Sequence, residues 1–240
     1  MKAIIPAAGH GTRFLPVTKV VPKEMLPVGS RPALELIVEE AKSAGADSIV
    51  MVISKGKELI REYFKDDPCI SFVYQHEQKG LGHAVLQAAD EFIGERGNVL
   101  VLLGDALVAG GNAAKELMAV SAAHGGASVI GLERVPQERV SRYGIVAMDS
   151  ERITAMVEKP SIEEAPSNLA VAGRYLLDVS IFEFLANQQP GRGGEIQLTD
   201  AIARMMKQKP LYGCVYSGKR QDIGNPQGYF KALEAFGENC

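Results

Sequence analysis

Apolar and polar positions change rhythm several times along this chain, and each change predicts an element. Residues 2–7 are nearly all apolar, the pattern of a strand buried on both faces of a parallel sheet. A glycine turn follows, then a stretch punctuated by Pro16, Pro22 and Pro27. From Pro32, the residues Leu34, Ile37, Val38 and Ala41 fall on one stripe at helical spacing, and Gly45 closes it. Residues 47–54 predict a strand, 57–64 a short helix and 70–75 another strand. A helix is expected over 81–93, with Leu81, Val85, Ala89 and Phe92 on one face. Residues 98–103 form a further apolar run that stops at Gly104-Asp105. A helix over 112–124 and a strand over 127–132 complete this half.

The second half has a different texture. Residues 143–148 and 152–157 are short strands around an Asp-Ser-Glu turn, which fits a hairpin that extends the sheet. A strand is expected over 169–177 and helices over 179–187 and 195–207. The stripe of the latter is Leu198, Ile202, Met205 and Met206. A strand over 211–217 and a helix over 226–236 follow. Alternating strands and helices in the first half imply right-handed βαβ units. With no repeats and no low-complexity linker, we expect one α/β domain over 1–240: a Rossmann-like, mostly parallel (mixed) sheet flanked by helices. Its two lobes would be 1–134 and 135–240.

Composition narrows the function. Hydrophobic residues make up 46% and charged residues 23%, as in ordinary globular proteins. The net charge of −3 gives no global basic field for nucleic acid, so anionic ligands must be handled by local groups. Cys69, Cys214 and Cys240 show no CxxC spacing, which argues against a zinc site or a disulfide framework. No apolar window reaches the roughly 18 residues of a spanning helix, and the first apolar stretch is too short for a secretory signal. A cytoplasmic protein, away from membranes, is expected.

Several residue groups could carry chemistry. Ala8, Gly9, Gly11, Thr12 and Arg13 leave the carboxyl end of the first strand, where open α/β sheets bind ligands. Glycines there let backbone N–H groups approach phosphate oxygens. The run fits neither a Walker A loop nor a dinucleotide fingerprint, which disfavours a nicotinamide enzyme. Lys23, ten residues on, could reach the same phosphates as Arg13. Gln75 ends a strand before Gly80, and its amide can donate and accept, as a uracil or thymine edge requires. Asp105 ends a buried strand, where it could hold Mg²⁺. Glu158 and Lys159 could divide sugar hydroxyls and a phosphate between them. Each group also has a plain structural reading as a tight turn, a solvated charge or a helix cap.

The run GHGTRFLPVTKVVPKEMLPV resembles the signature of the sugar-1-phosphate nucleotidylyltransferases, and most of all the bacterial UTP–glucose-1-phosphate uridylyltransferases. The similarity continues in order along nearly the whole chain. It implies a nucleotide-diphospho-sugar transferase fold, with a nucleotide-binding lobe over 1–134 and a sugar-binding lobe over 135–240. Arg13 and Lys23 would bind the triphosphate wrapped by the glycine loop, with Glu24 in support. Gln75 and Gly80 would hold the pyrimidine, helped by Ala8 and Gly9. Glu158 would take the sugar hydroxyls and Lys159 the phosphate, in a pocket shaped by Gly144 and Gly173. Asp105 would be a metal ligand, and Asp222 a second one. By this resemblance the substrates are UTP and glucose 1-phosphate, the cofactor is Mg²⁺, and the protein is a homo-oligomer, dimer or tetramer.

Two departures bear on the resemblance. Leu-Gly-Asp stands at 103–105 where uridylyltransferases usually carry Leu-Pro-Asp, and thymidylyltransferases carry Gly-Asp. An extra helical segment between Ser54 and Ile70 is also missing, and the tail is short. The alternatives are a thymidylyltransferase using dTTP, or a non-catalytic regulatory paralogue that binds a nucleotide sugar.

Overall fold

The computed structural model describes residues 1–237, so Cys240 lies outside the described residues. The chain begins with β1 (Lys2–Pro6). Three short 3₁₀ turns follow (Thr12–Phe14, Val17–Lys19 and Lys23–Met25), then a small hairpin of β2 (Pro27–Val28) and β3 (Arg31–Pro32). Next come α1 (Ala33–Ser43), β4 (Ser48–Ile53), α2 (Glu58–Phe64), β5 (Ile70–Tyr74), α3 (Leu81–Leu86), β6 (Asn98–Leu102), β7 (Ala106–Ala109), α4 (Ala113–Ala123) and β8 (Ser128–Arg134). The remainder is β9 (Gly144–Asp149), β10 (Arg152–Glu158), β11 (Leu169–Asp178), α5 (Ile181–Ala186), α6 (Leu198–Met205), β12 (Leu211–Val215), β13 (Lys219–Asp222) and α7 (Pro226–Phe236).

Nine strands form one sheet in the order β5-β4-β1-β6-β11-β8-β12-β10-β9. The pairs from β5 to β6 are parallel, as the βαβ pattern requires. Beyond β6 the sheet is mixed. β11 runs antiparallel to both its neighbours, and the β9–β10 hairpin extends the far edge.

Side-chain alternation along the central strands separates two cores. Ala3, Ile5, Ile49, Met51, Leu100 and Leu102 face α1, α2, α4 and α7. Ile4, Val50, Val52, Val99 and Val101 face α3, α5 and α6. The predicted stripe of Leu34, Ile37, Val38 and Ala41 is the buried face of α1. Each large side chain so buried contributes about 2 kcal/mol of transfer free energy. Asn112 caps α4 by accepting from Lys115 N, and Asn225 caps α7 by accepting from Gly228 N, with Pro226 at the first turn. Among the described residues no helix is long and apolar enough to cross a membrane.

Two predicted helices change extent. The helix expected over 81–93 breaks into α3 and a 3₁₀ turn at Ala89–Phe92, where Phe92 packs on Phe182 at 5.1 Å between ring centroids. The helix expected over 195–207 starts only at Leu198. Glu195 and Ile196 stay non-helical because Ile196 pairs with another loop: its N–H donates to Lys79 O, and its carbonyl accepts from Gly82 N. Four further strands carry no strand pattern in the sequence: β2 and β3, a two-residue hairpin after the proline-rich stretch, and β7 and β13. β7 and β13 pair antiparallel as a separate ribbon, Ala106 opposite Asp222.

Candidate active site

Because β1, β4, β5 and β6 are parallel, their carboxyl ends share one edge of the sheet. The Ala7–Arg13 loop leaves β1 there, Gln75 follows β5, and Asp105 follows β6. The β9–β10 hairpin brings its own end into reach, with Gly144 opposite Glu158.

At the centre, Lys23 Nζ lies 2.5 Å from Asp105 Oδ2. Burial works against the Lys23 ammonium, but the carboxylates of Asp105, Glu24 and Asp222 outweigh it and hold its pKa above the usual lysine value. Burial likewise opposes ionisation of Asp105. Lys23, then Arg220 and Lys57, outweigh it, and the carboxyl is held below its usual range. The ribbon adds Asp222. Ile223 N donates to the Asp105 carbonyl at 2.9 Å, and a methyl group on Gly224 would stand 2.8 Å from Asp222 Oδ1 and 3.2 Å from Asp105 Oδ2. Two carboxylates and one ammonium thus meet at the mouth of β1 and β6. A methyl on Gly9 would stand 3.9 Å from the same ammonium, which ties the glycine loop to this cluster.

A second ion pair lies beneath. Lys57 Nζ donates to both Glu24 oxygens at 2.8 and 2.7 Å and to the Ala7 carbonyl at 2.5 Å. Both side chains are buried, Glu24 at 1% exposure. Burial pushes the Glu24 carboxyl up and the Lys57 ammonium down, each opposed by the partner's charge. The pair links the start of the glycine loop to the turn that carries Lys23.

On the β5 side, Gln75 is buried. Its Nε2 donates to the Gly80 carbonyl at 3.2 Å and lies 3.0 Å from His83 Nδ1. A carbonyl can only accept, so the amide orientation is set, and Oε1 is left to accept from a ligand. Burial lowers the His83 pKa, which keeps the ring neutral and able to accept. His83 is thus a neighbour that orients Gln75. Gly80 has φ of 99°, and a Cβ there would meet Glu195 and Ile196 at under 3 Å, so no other residue fits without displacing that loop.

On the hairpin side, a methyl on Gly144 would stand 3.2 Å from Glu158 Oε2 and 3.1 Å from Thr199 Oγ1. These groups therefore face one small space. Lys159, next along, takes φ of 45°, a left-handed conformation that costs a side-chain-bearing residue about 1 kcal/mol. Its N–H donates to the Tyr143 carbonyl at 3.0 Å, and its Nζ lies 3.4 Å from Glu158. Gly173 lies in a bulge of β11, with its carbonyl accepting from Leu103 N at 3.0 Å. A cleft of about 1110 Å³ opens beside this edge. It is lined by Arg13, Tyr143, Lys159, Arg220 and Asp222, and eight cationic side chains face it against three carboxylates. The local concentration of positive charge stands against a net charge of −3 for the chain.

All the site residues singled out from the sequence therefore gather on one edge, in three neighbouring groups. Four others were not singled out: Lys57, Thr199, Arg220 and Arg174. Arg220 stacks 5.0 Å from the Tyr143 ring and pairs with Glu133 at 2.6 Å. Arg174 carried a visible signal, as the lone charge inside the otherwise apolar run 169–177.

This edge has the build of a site for joining phosphorylated molecules, and comparison with known proteins agrees with it. The family model described as Nucleotidyl transferase matches residues 2–239. The chain belongs to that family. A UTP–glucose-1-phosphate uridylyltransferase of Staphylococcus epidermidis is 43% identical, over 96% of this chain and 90% of the relative. A crystal structure of UDP-glucose pyrophosphorylase complexed with UDP-glucose superposes with a TM-score of 0.90 at 37% identity, covering 100% of this chain and 99% of the other. A UTP-bound enzyme of the same kind from Acinetobacter baumannii gives 0.84 at 34% identity, covering 100% and 94%.

Proposed function

We infer that this chain is an enzyme that transfers a uridylyl group from UTP to glucose 1-phosphate, giving UDP-glucose and pyrophosphate. The observation that carries the reading is the Lys23 ammonium seated on Asp105, with Asp222 beside it, where β1 and β6 end. The named relatives support the substrates. An oxygen of the sugar phosphate attacks the α-phosphorus of UTP in line, and the bond to pyrophosphate breaks. The nucleophile is already an anion, so no general base is required. Alignment and neutralisation of crowded negative charge are the catalytic tasks.

We assign these tasks as follows. Ala8, Gly9, Gly11 and Thr12 offer backbone to the triphosphate, and Arg13 and Lys23 neutralise it. Gln75 Oε1 accepts from the N3–H of uracil, and Gly80 backs the base. Gly144, Glu158 and Gly173 form the sugar pocket, and Lys159 aligns the sugar phosphate. The nucleotide side thus falls within 1–134 and the sugar side mainly within 135–240. Asp105 and Asp222 suit a hard divalent cation, which we take to be Mg²⁺. Among the described residues no cluster of three or more His, Cys, Asp or Glu side chains could hold a metal, and Mg²⁺ commonly takes one or two carboxylates with substrate oxygens and water. When bound, it would add positive charge to the phosphates.

Pyrophosphate release over a grid of triphosphates and sugar 1-phosphates, with and without Mg²⁺, tests the reading. UTP with glucose 1-phosphate is expected to be fastest, and to need the metal. A faster reaction with dTTP would move the assignment to thymidylyl transfer, and no release from any pair would remove the catalytic reading.

Two substitutions divide the substrates. Lys159→Ala is expected to raise KM for glucose 1-phosphate about 10- to 100-fold through a lost charge-assisted contact, with KM for UTP little changed. A defect confined to UTP would refute that role. Gln75→Leu removes the acceptor for the base, and a ~10- to 100-fold rise in KM for UTP is expected at nearly constant kcat. The opposite split, with kcat lost and KM kept, would show that Gln75 does not hold the base.

A further inference from the structure

Arg174 is wholly buried, yet it sits in the same β11 bulge as Gly173 and reaches the turn that carries Asp105. Its Nε and Nη2 form a two-point pair with Glu40 of α1 at 2.9 and 2.7 Å. Nη1 donates to the Gly173 carbonyl at 3.0 Å, and Nη2 also donates to the Ala106 carbonyl at 2.6 Å. Ala106 directly follows Asp105 and stands opposite Asp222 across the β7–β13 ribbon. Gly173, through its carbonyl, also receives Leu103 N, at the other end of the same turn. Glu40 Oε1 accepts from Ala114 N at the start of α4. One guanidinium therefore joins α1, the β11 bulge and both ends of the Leu103–Ala106 turn.

We propose that Arg174 is a positioning residue for the reaction: it holds the Asp105 turn in register with the ribbon that presents Asp222. The proposal rests on the reading of those two carboxylates as the metal-holding pair. Buried ion pairs are weak stabilisers, because removing two charges from water offsets their attraction, and apolar replacements are often as stable. A planar fork of five donors does what an apolar side chain cannot, since it satisfies two carbonyls at fixed positions beside the site. Lysine supplies a charge in that place but not the fork.

Two variants test this. Arg174→Ala alone leaves Glu40 buried and unpaired, so its failure to fold would be uninformative. Arg174→Lys keeps the charge. The double variant Glu40→Gln with Arg174→Met removes both charges and retains an amide oxygen for Ala114 N. Mn²⁺ binding in the presence of UTP, read by electron paramagnetic resonance, is measured with kcat, both KM values and thermal unfolding. We expect Mn²⁺ affinity to fall about 10-fold and kcat about 100-fold in each variant below its unfolding transition, with KM for UTP within about twofold. A folded variant that keeps kcat and Mn²⁺ affinity within about twofold overturns the positioning role, even if its transition temperature drops. Asp105→Asn, measured alongside, separates the two ideas. Mn²⁺ binding unchanged in that variant overturns the metal reading and this proposal with it. Binding lost there but kept by the Arg174 variants overturns the positioning role alone.

Discussion

Asp105→Asn is expected to lower kcat about 10³-fold or more while the protein stays folded, because it removes one of two carboxylates proposed to hold the divalent ion. Asparagine has the same shape, and Lys23 keeps Glu24 and Asp222 as neighbours. Far-ultraviolet circular dichroism should match the parent, and excess Mg²⁺ should not restore the rate. A near-parental rate in Mg²⁺ would sink the assignment. The pH dependence has a defined sign. Asp105 is held below the usual carboxylate range, so its contribution to stability is full above that range and disappears as pH falls through the lowered value. Lys23 is held above its ordinary 10.5, so its contribution is full below that value and is lost only as pH rises beyond it. Between about pH 5 and 9 neither group titrates, and the stability difference between parent and Asp105→Asn should be flat there. It should narrow in acid.

Lys57→Met has the largest expected effect on stability. It strands the Glu24 carboxylate, 1% exposed, without its partner. Breaking a buried pair in this way costs about 3–5 kcal/mol, or roughly 10–15 °C in a domain of this size. Burial already pushes the Glu24 carboxyl up. In the variant that rise should grow, and an acid whose folded value lies above its unfolded one loses stability as pH climbs between the two. The deficit should therefore shrink when the pH is lowered from 8 towards 5. Adding Glu24→Gln should return most of the stability, since the stranded charge is gone. A single-variant loss below about 1 kcal/mol by chemical denaturation would mean that the pair is not what holds the glycine loop.

Elements whose cause is local were legible in the sequence. The all-apolar runs became central strands, the stripe from Leu34 to Ala41 became the buried face of α1, and Pro226 opened α7 where expected. What stayed hidden has a distant cause. Residues 106–109 and 219–222 carry no pattern of their own, and each becomes a strand only because the other lies opposite. Arg174 reads as an oddity until Glu40, 134 residues away in the chain, is brought beside it. Lys57 reads as an ordinary lysine opening the helix expected over 57–64, and only Glu24 and Ala7 account for its burial. The helix expected from 195 starts late because pairing between Ile196 and the Lys79–Gly82 loop outweighs the local preference. The glycine loop, Lys23, Gln75, Asp105, Glu158 and Lys159 could be picked out early because each sits at the end of a recognisable strand or inside a distinctive run.

The ribbon of β7 and β13 also bears on how the protein is made. Synthesis proceeds from the amino end, and Ala106 must wait for Asp222 to leave the ribosome before the two strands can meet. All nine strands of the large sheet precede Asp222 in the chain, whereas the two acidic groups at its edge can come together only once Asp222 has emerged. A nascent chain that has not yet exposed Asp222 would thus lack the completed acidic pair, whatever part of the sheet its earlier strands have formed.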